Sequence, residues 1–504
     1  MSELSIKPMH KGKRMNLAKA YSLLVGVLFF PPFFAQAKTH QSISIIDNSH
    51  QNRMFSVNQS LAVPPAEQGA AVAEHYDILA FIQEAKKKLD IEIYEMRDES
   101  VKEAVFAAMQ RGVVVRIVAE PDPVGNGCDA FSQFNPTNNA ECQQSALFMK
   151  KFAEFSKKHA AGSKIGFFNK NLCWDGGLDR PKYCYQHGKM LLRDDNFVAL
   201  STGNLNPSNL CTDSYRLDNV CNRDYTLVMK DPKMVKGLRE IFELDLQESV
   251  PCDMPPQKPR LGGVLRKATE GHCDIEGKEV DALAHREKIA TILAKYELNH
   301  VTVNPVEDNR LEKFIRSAKK SLKIQAQYLR QPEWQEAIVD ALSRGVAVQT
   351  TLASFCHFNQ KNGIGFIEQN SLSGPNGYLT KWLNPLFQGK NPMQLRIFNK
   401  SLPSFEKAKM AYQHAKMFVV DDDVAWIGST NGSSTSTNVN REFGVFIKDP
   451  KMVHHISLLM DKDFNAGVSL AQHVPYPTAI ANDRRFYPFG SCKVFVRNKS
   501  ESSR

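Results

Sequence analysis

Apolar residues recur along this chain at two spacings, and the two alternate. Stretches with helical spacing at residues 78–88 and 309–320 run directly into apolar, strand-like segments. Two further amphipathic helices end in Arg111-Gly112 and Arg344-Gly345, each followed at once by a β-branched run starting at Val113 and Val346. Glycine can take the left-handed conformation that closes a helix, so each of these reads as helix, cap and strand in succession. Residues 190–193, 197–200, 417–420 and 424–427 read as short strands. Helices interleaved with strands in this way predict an α/β fold with mostly parallel or mixed sheets.

The pattern occurs twice. Ala85-Lys86-Lys87-Lys88-Leu89-Asp90-Ile91 is echoed by Ala318-Lys319-Lys320-Ser321-Leu322-Lys323-Ile324, and Phe168-Asn169-Lys170 by Phe398-Asn399-Lys400. Tyr185-Gln186-His187 returns as Tyr412-Gln413-His414, and Asn222-Arg223-Asp224 as Asn440-Arg441-Glu442. Both halves then continue into Lys-Asp-Pro-Lys-Met-Val, at 230–235 and 448–453. The offset between copies falls from 233 at Arg111/Arg344 to 227 at the histidines and 218 at Arg223/Arg441. The first half therefore carries extra residues, most of them between His187 and Arg223, where Cys211 and Cys221 fall. A surface loop stapled by a disulfide is expected there. Internal duplication of this kind organises the whole chain.

At 504 residues the length suits two full domains, and 42% hydrophobic with 23% charged residues excludes wholesale disorder. The expected organisation is a targeting segment at 1–37, a loosely ordered stretch at 38–74, a first domain at 75–250, a linker at 251–284, a second domain at 285–475 and a tail at 476–504. Pro251, Pro255, Pro256, Pro259, Gly262 and Gly263 mark the linker. Lys11, Lys13, Arg14 and Lys19 precede an apolar run at 23–34, and Ala35-Gln36-Ala37 supplies a small-x-small cleavage site. The run is too short to span a bilayer, so a cleaved signal and a secreted or periplasmic, soluble protein are expected, with an N-terminal membrane anchor as the alternative. Cleavage takes away five basic residues and one acidic one, leaving a net charge of about +6 of the original +10. The excess suits an anionic substrate or membrane surface, though ordinary surface charge accounts for it equally well.

All ten cysteines, residues 128, 142, 173, 184, 211, 221, 252, 273, 356 and 492, lie beyond that segment, and none forms a CxxC pair. An even count in an exported chain predicts disulfides rather than zinc sites. The short separations suggest 128/142, 173/184, 211/221 and 252/273, with 356/492 left over.

The chemistry concentrates in two matching motifs. His187-Gly188-Lys189 is followed by Asp194 and then Ser201-Thr202-Gly203-Asn204; His414-Ala415-Lys416 is followed by Asp421 and then Gly428-Ser429-Thr430-Asn431. On a strand, His and Lys two apart project from one face, so an imidazole stands beside a fixed cation. The Gly/Ser-rich turns after the next strand return Asn204 and Asn431 as amide donors. One His-x-Lys-x4-Asp is weak; two at equivalent points of a repeat are strong.

Over about residues 75–475 this pattern resembles the phospholipase D superfamily with its twin HKD motifs, and within it the secreted bacterial phospholipases D. Ser201 stands where that family usually has Gly. The resemblance implies two tandem α/β domains, each a mixed sheet flanked by helices, related by a pseudo-two-fold axis with one site between them. It implies His187 as the nucleophile that forms a phosphohistidine and His414 as the acid that protonates the leaving alkoxide. Lys189, Lys416, Asn204 and Asn431 would hold the non-bridging oxygens, and no metal or other cofactor is expected. Asp224 and Glu442 match the family's carboxylates that hold the far nitrogen of each imidazole, although an acid after Arg can also form a plain salt bridge. Asp194 and Asp421 complete the catalytic motifs but read as scaffold carboxylates.

The expected reaction is hydrolysis of the distal phosphodiester of a phospholipid by a monomeric enzyme at a membrane surface. Nucleic acid is the rival substrate, and a silent lipid-binding protein the reading from another class. Residues 378–387, aromatic-rich between Gly377 and Gly389, could overhang the site and dip into lipid, or form a core helix. Lys86–Lys88 and Lys157-Lys158 are short charge runs suited to solvated helix faces rather than to a nucleic-acid stripe.

Overall fold

A computed structural model describes residues 42–47, 53–57, 72–73, 78–121, 123, 140–173, 184–211, 221–250, 280–306, 309–327, 329, 331–353, 393–398 and 410–469. The chain divides into two units, 1–38 and 39–504, and all of these residues belong to the second. Among them no helix is long and apolar enough to cross a membrane.

Two mixed sheets form the architecture. The first runs, edge to edge, Val72–Ala73, Arg53–Val57, Ser42–Asp47, Tyr225–Lys230, Phe197–Ser201, Lys189–Arg193, Lys88–Ile93, Val114–Ala119, Lys164–Phe167. The second runs Val301–Asn304, Glu442–Ile447, Val424–Gly428, Met417–Val420, Ser321–Ala326, Ala347–Ala353, Gln394–Phe398, Val468–Ser469. Strand for strand the two orders coincide from Ser42–Asp47 and Val301–Asn304 onward. In both, the strand after the HKD histidine, Lys189–Arg193 or Met417–Val420, lies antiparallel to its neighbours on either side, while the strands beyond pair in parallel. The duplication in sequence is thus a duplication in topology.

Both sheets bury both faces. Outward faces pack under helices Ile78–Gln83 and Glu99–Gln110 in the first half and Arg310–Arg316 and Pro332–Ser343 in the second. Inward faces meet in one continuous core that joins Met190, Leu192, Leu200 and Leu227 to Met417, Val419, Ile427 and Val445. The tail helices Pro232–Glu248 and Pro450–Ala466 enter the same core. Each starts with a Pro in its first turn and an Asp cap whose carboxylate accepts from a main-chain N–H, Asp231 from Met234 and Asp449 from Met452. That is the physical meaning of the repeated Lys-Asp-Pro-Lys-Met-Val. The halves share one core rather than a thin contact, so they fold as one body.

The departure from the family at Ser201 has a packing explanation. In the second half Gly428 lies opposite Gly444, and a Cβ at either would fall within 2.6 Å of the Trp426 indole. In the first half Ala199 replaces that indole, and Ser201 lies opposite Thr226, the two hydroxyls 3.0 Å apart. A large ring over two glycines is exchanged for a small side chain over two hydroxyls.

One expectation fails. Loose order over residues 38–74 does not hold at Ser42–Asp47, a fully buried strand paired with Tyr225–Lys230. Its Ser-Ile-Ser-Ile-Ile sequence alternates with a period of two, but over only six residues within a largely polar segment the alternation does not stand out as a strand. The helix Ala282–Lys295, capped by Asp281, also begins inside the expected 251–284 linker. Cys211 and Cys221 are bonded, with Cα atoms 5.3 Å apart, as their spacing suggested, and Cys184 is disulfide-bonded too. The segment 1–37, the tail 476–504, the aromatic stretch 378–387 and the other proposed cysteine pairs lie wholly or partly outside the described residues.

Candidate active site

Each imidazole is held by a carboxylate from the opposite half. Nδ1 of His187 lies 2.9 Å from Oε2 of Glu442, and Nδ1 of His414 lies 2.8 Å from Oδ1 of Asp224. The main chain makes the same crossing. His187 N–H donates to the Arg441 carbonyl at 2.9 Å, Arg441 N–H to the Tyr185 carbonyl at 2.9 Å, and His414 N–H to the Arg223 carbonyl at 3.2 Å. Met410–Gln413 also forms a parallel two-stranded sheet with Cys221–Arg223. Two short straps, each laid against the other half's histidine, therefore close one site between the sheets.

The carboxylates are themselves fixed. Asp224 accepts from the hydroxyl of Thr202 at 2.7 Å and the amide of Asn209 at 2.8 Å. Glu442 accepts from the Ser436 hydroxyl and from Asn440 Nδ2 at 3.3 Å. Thr202 and Asn209 match Ser429 and Ser436 at the histidine offset of 227. A Cβ at Gly203 would lie 2.5 Å from the Asp224 carboxyl carbon, which is why that turn needs glycine.

Lys189 and Lys416 are buried and turn back over their own motifs, each ammonium donating to the carbonyl of the histidine two residues before. Lys416 Nζ also lies 3.2 Å from both ring nitrogens of His414 and donates to the Thr202 carbonyl at 3.2 Å. The Tyr94 ring packs edge-on against His187 at 5.1 Å and under Lys189 at 5.4 Å. Asn204 Nδ2 is 3.3 Å from Glu95 Oε2, so in this arrangement one of its N–H groups is engaged by Glu95. Asn431 is fixed through its main-chain N–H to the Ser436 hydroxyl at 2.7 Å.

Electrostatics tie the cluster together. Burial lowers both imidazoles to about 4; the partner carboxylate opposes this, and both lysines reinforce it. Burial lowers Lys189 to about 7 and Lys416 to about 8, against the pull of Glu442 and Asp224. Burial would raise the two carboxyls, but His187 and Lys189 outweigh it at Glu442, and His414 and Lys416 at Asp224, so both are held below their ordinary values. At neutral pH the imidazoles are uncharged, with Nδ1–H facing a carboxylate and Nε2 presenting its lone pair. Two lysines lie beside them in a site largely shut off from water, where their charged forms act strongly on an anion and an anion in turn favours those forms.

Asp194 and Asp421 are not in this cluster. They follow the far ends of the strands Lys189–Arg193 and Met417–Val420, about 16 Å from the lysines at 3.3 Å per residue. Asp194 accepts from the main-chain N–H groups of Lys86, Lys87 and Lys88, and Asp421 from those of Lys319, Lys320 and Ser321. Each ties the turn that opens the central strand of its half. Asp421→Ala is expected to cost about 1–2 kcal/mol in urea unfolding while kcat stays within twofold. A large fall in kcat at unchanged stability would put Asp421 in the chemistry.

The sequence motifs contained Thr202 and Ser429, whose hydroxyls help hold Asp224 and Glu442, without giving them a role, and Asn209, Ser436, Tyr94 and Glu95 were missed. The constant offset of 227 pairs Thr202 with Ser429 and Asn209 with Ser436, whereas Tyr94 and Glu95 have no equivalent in the other copy and left no such trace.

The family model for the PLD-like domain of cardiolipin synthases matches residues 78–246 and 311–464, well over half of the chain. No curated protein sequence matches. Similar solved structures include phosphatidylserine synthase of Haemophilus influenzae Rd KW20, 14% identical over 78% of this chain and 84% of that one, with a TM-score of 0.49. Others are polyphosphate kinase of Porphyromonas gingivalis, at 10% over 77% and 48% with a TM-score of 0.42, and Nuc of Salmonella typhimurium, a phospholipase D family member, at 22% over 34% and 95% with a TM-score of 0.25. Those likenesses concern the fold alone; the family assignment rests on the double match of the family model across both halves. With both motifs present and brought to one site, the chain belongs to the phospholipase D superfamily.

Proposed function

We propose that the protein is an exported phospholipase D that hydrolyses the distal phosphodiester of glycerophospholipids to phosphatidic acid and the free head group. The observation that carries the chemistry is the crossed pair of imidazole–carboxylate contacts with a lysine beside each. Nε2 of His187 attacks phosphorus, the P–O bond to the head group breaks, and the alkoxide takes the proton from Nε2 of His414. Water then gives a proton to His414 and attacks phosphorus, and the P–N bond breaks. His414 has to be protonated for the first step; the phosphodiester's negative charge favours that protonation and opposes the effect of burial. Lys189 and Lys416 offset the charge on the non-bridging oxygens, the role metal ions fill in other phosphodiesterases.

Phospholipid as the substrate class is supported by the lipid enzymes that give the matching family model its description and by the Gly-flanked aromatic stretch at 378–387. Export is supported by residues 1–37 and by the Cys211–Cys221 disulfide, a bond suited to an oxidising compartment. The deciding experiment offers the purified chain, in EDTA, phosphatidylcholine/phosphatidylethanolamine vesicles and labelled single-stranded DNA side by side. Release of choline or ethanolamine with phosphatidic acid is expected. Degradation of the oligonucleotide with intact vesicles would make it a nuclease. Conversion of the lipid only when a second alcohol is supplied would make it a synthase.

A further inference from the structure

Beneath each strap lies a buried ion pair that also crosses between the halves. Arg441 Nε and Nη2 donate to Asp245 at 2.8 and 3.0 Å, and Arg223 Nε donates to Asp463 at 2.8 Å. Asp245 and Asp463 sit at the same turn of the two tail helices, Pro232–Glu248 and Pro450–Ala466, and differ by 218, the offset of the arginines themselves. All four side chains are at least 95% buried. Neither acid belongs to an HKD motif, and neither has a role in the two-step chemistry.

We infer that Asp245 and Asp463 are positioning residues, each setting the histidine of its own half through the arginine and carboxylate of the other. The inference rests on the two-histidine reading of the site. In an extended strap successive side chains leave on opposite sides. Arg441 is drawn down to Asp245, which leaves Glu442 facing the His187 imidazole, while the Arg441 main chain is bonded on both sides of Gln186. The circuit runs from Asp245 in the first half to Arg441 and Glu442 in the second, and back to His187 in the first. Its twin runs from Asp463 through Arg223 and Asp224 to His414.

The circuits differ in backing. Arg223 has a second carboxylate, Asp47, whereas the other acceptor for Arg441 is the Asn304 carbonyl at 2.7 Å. The Asp245 circuit is therefore the more sensitive. Around it stand Glu92 and His285, whose Nε2 lies 2.8 Å from Asp245. Glu92 is pushed well above its ordinary value by burial and by Asp245, against Arg441. It occupies the place of Gln325, whose amide donates to Asp463 at 2.6 Å in the other circuit.

The test uses the full chain and bis(p-nitrophenyl) phosphate, so that it does not depend on the natural substrate. Asp245→Asn is expected to lower kcat at least tenfold with KM within twofold, and Asp245→Glu to recover part of the loss. In a Glu442→Gln background the same substitution is expected to add less than twofold, because both act on one imidazole. Asp463→Asn, with Asp47 still beside Arg223, is expected to fold even where Asp245→Asn does not, and to lose three- to tenfold with the same non-additivity against Asp224→Asn. A kcat within twofold of the parent for both acids, or losses that multiply fully in those backgrounds, would overturn the proposal. The downfield Nδ1–H resonance of His187 reads the circuit without substrate and is expected to move in Asp245→Asn. If it moves while His187→Ala retains full turnover, the two-histidine reading falls and the circuit stands; an unmoved resonance removes the circuit alone.

Discussion

Replacing His187 with alanine is expected to lower turnover of any phosphodiester by at least about 10^4-fold, because no other side chain can form the covalent intermediate. His414→Ala is expected to be as damaging with an alkyl leaving group but to fail differently with an activated one. A p-nitrophenolate departs without a proton donor, so the first step proceeds, and the second stalls because no base activates water. One equivalent of p-nitrophenolate should appear in a burst, leaving the remaining phosphoryl monoester bound to residue 187. Lys416→Ala should abolish turnover at both steps, since its charge faces the same oxygens throughout. The fold should survive each change. When His187 is removed, Glu442 still accepts from Ser436 and Asn440, a loss of about 1–3 kcal/mol by the usual cost of one buried partner. Stopped-flow absorbance, acid-quenched labelling and circular dichroism read the three claims. A burst in His187→Ala with none in His414→Ala would exchange the roles, and a near-normal rate in either would end the shared-site account.

What the sequence discloses and what it hides follow from one physical distinction. Both HKD motifs were legible because each was written twice just ahead of an apolar strand, although the histidines themselves lie before those strands, Lys189–Arg193 and Met417–Val420, rather than on them. The duplication was legible because the same local rules were written twice, down to the Asp-Pro caps of the tail helices. The crossing was not. Residues 187 and 442 are 255 positions apart, and no local spacing says whether an Asn-Arg-acid strap serves its own histidine or the other copy's. Asp245 and Asp463 were hidden for the same reason, since a lone acid on an amphipathic helix reads as surface until the helix is seen to be buried on that side. Ser42–Asp47 escaped for a third reason, its polar/apolar alternation covering only six residues within a largely polar segment.

The crossing makes the carboxylates as consequential as the imidazoles, and Glu442→Gln and Asp224→Asn are expected to cost roughly 10^2- to 10^4-fold in kcat. An amide in the same place can offer its N–H to Nδ1, which would put the proton on Nε2 and remove the nucleophilic lone pair. The pH dependence separates the two sites. Each carboxylate raises the proton affinity of its imidazole against the effect of burial, so its neutralisation moves that histidine below about 4. His187 must be unprotonated to attack, so in Glu442→Gln the ascending limb of kcat/KM should move to lower pH. His414 must be protonated to donate, so in Asp224→Asn the descending limb should move to lower pH instead. The limb assigned to each carboxylate therefore belongs to a histidine in the other half of the chain, a correlation that two independent half-sites could not produce. If Glu442→Gln shifted the limb that His414→Ala also perturbs, or left both limbs in place with kcat within threefold, the carboxylates would not be orienting the imidazoles they touch. In the crossed arrangement neither half alone has an oriented histidine, since His187 without Glu442 and His414 without Asp224 each lose the contact that fixes their tautomer. Docking of the two halves across their shared core is thus the step that completes the site.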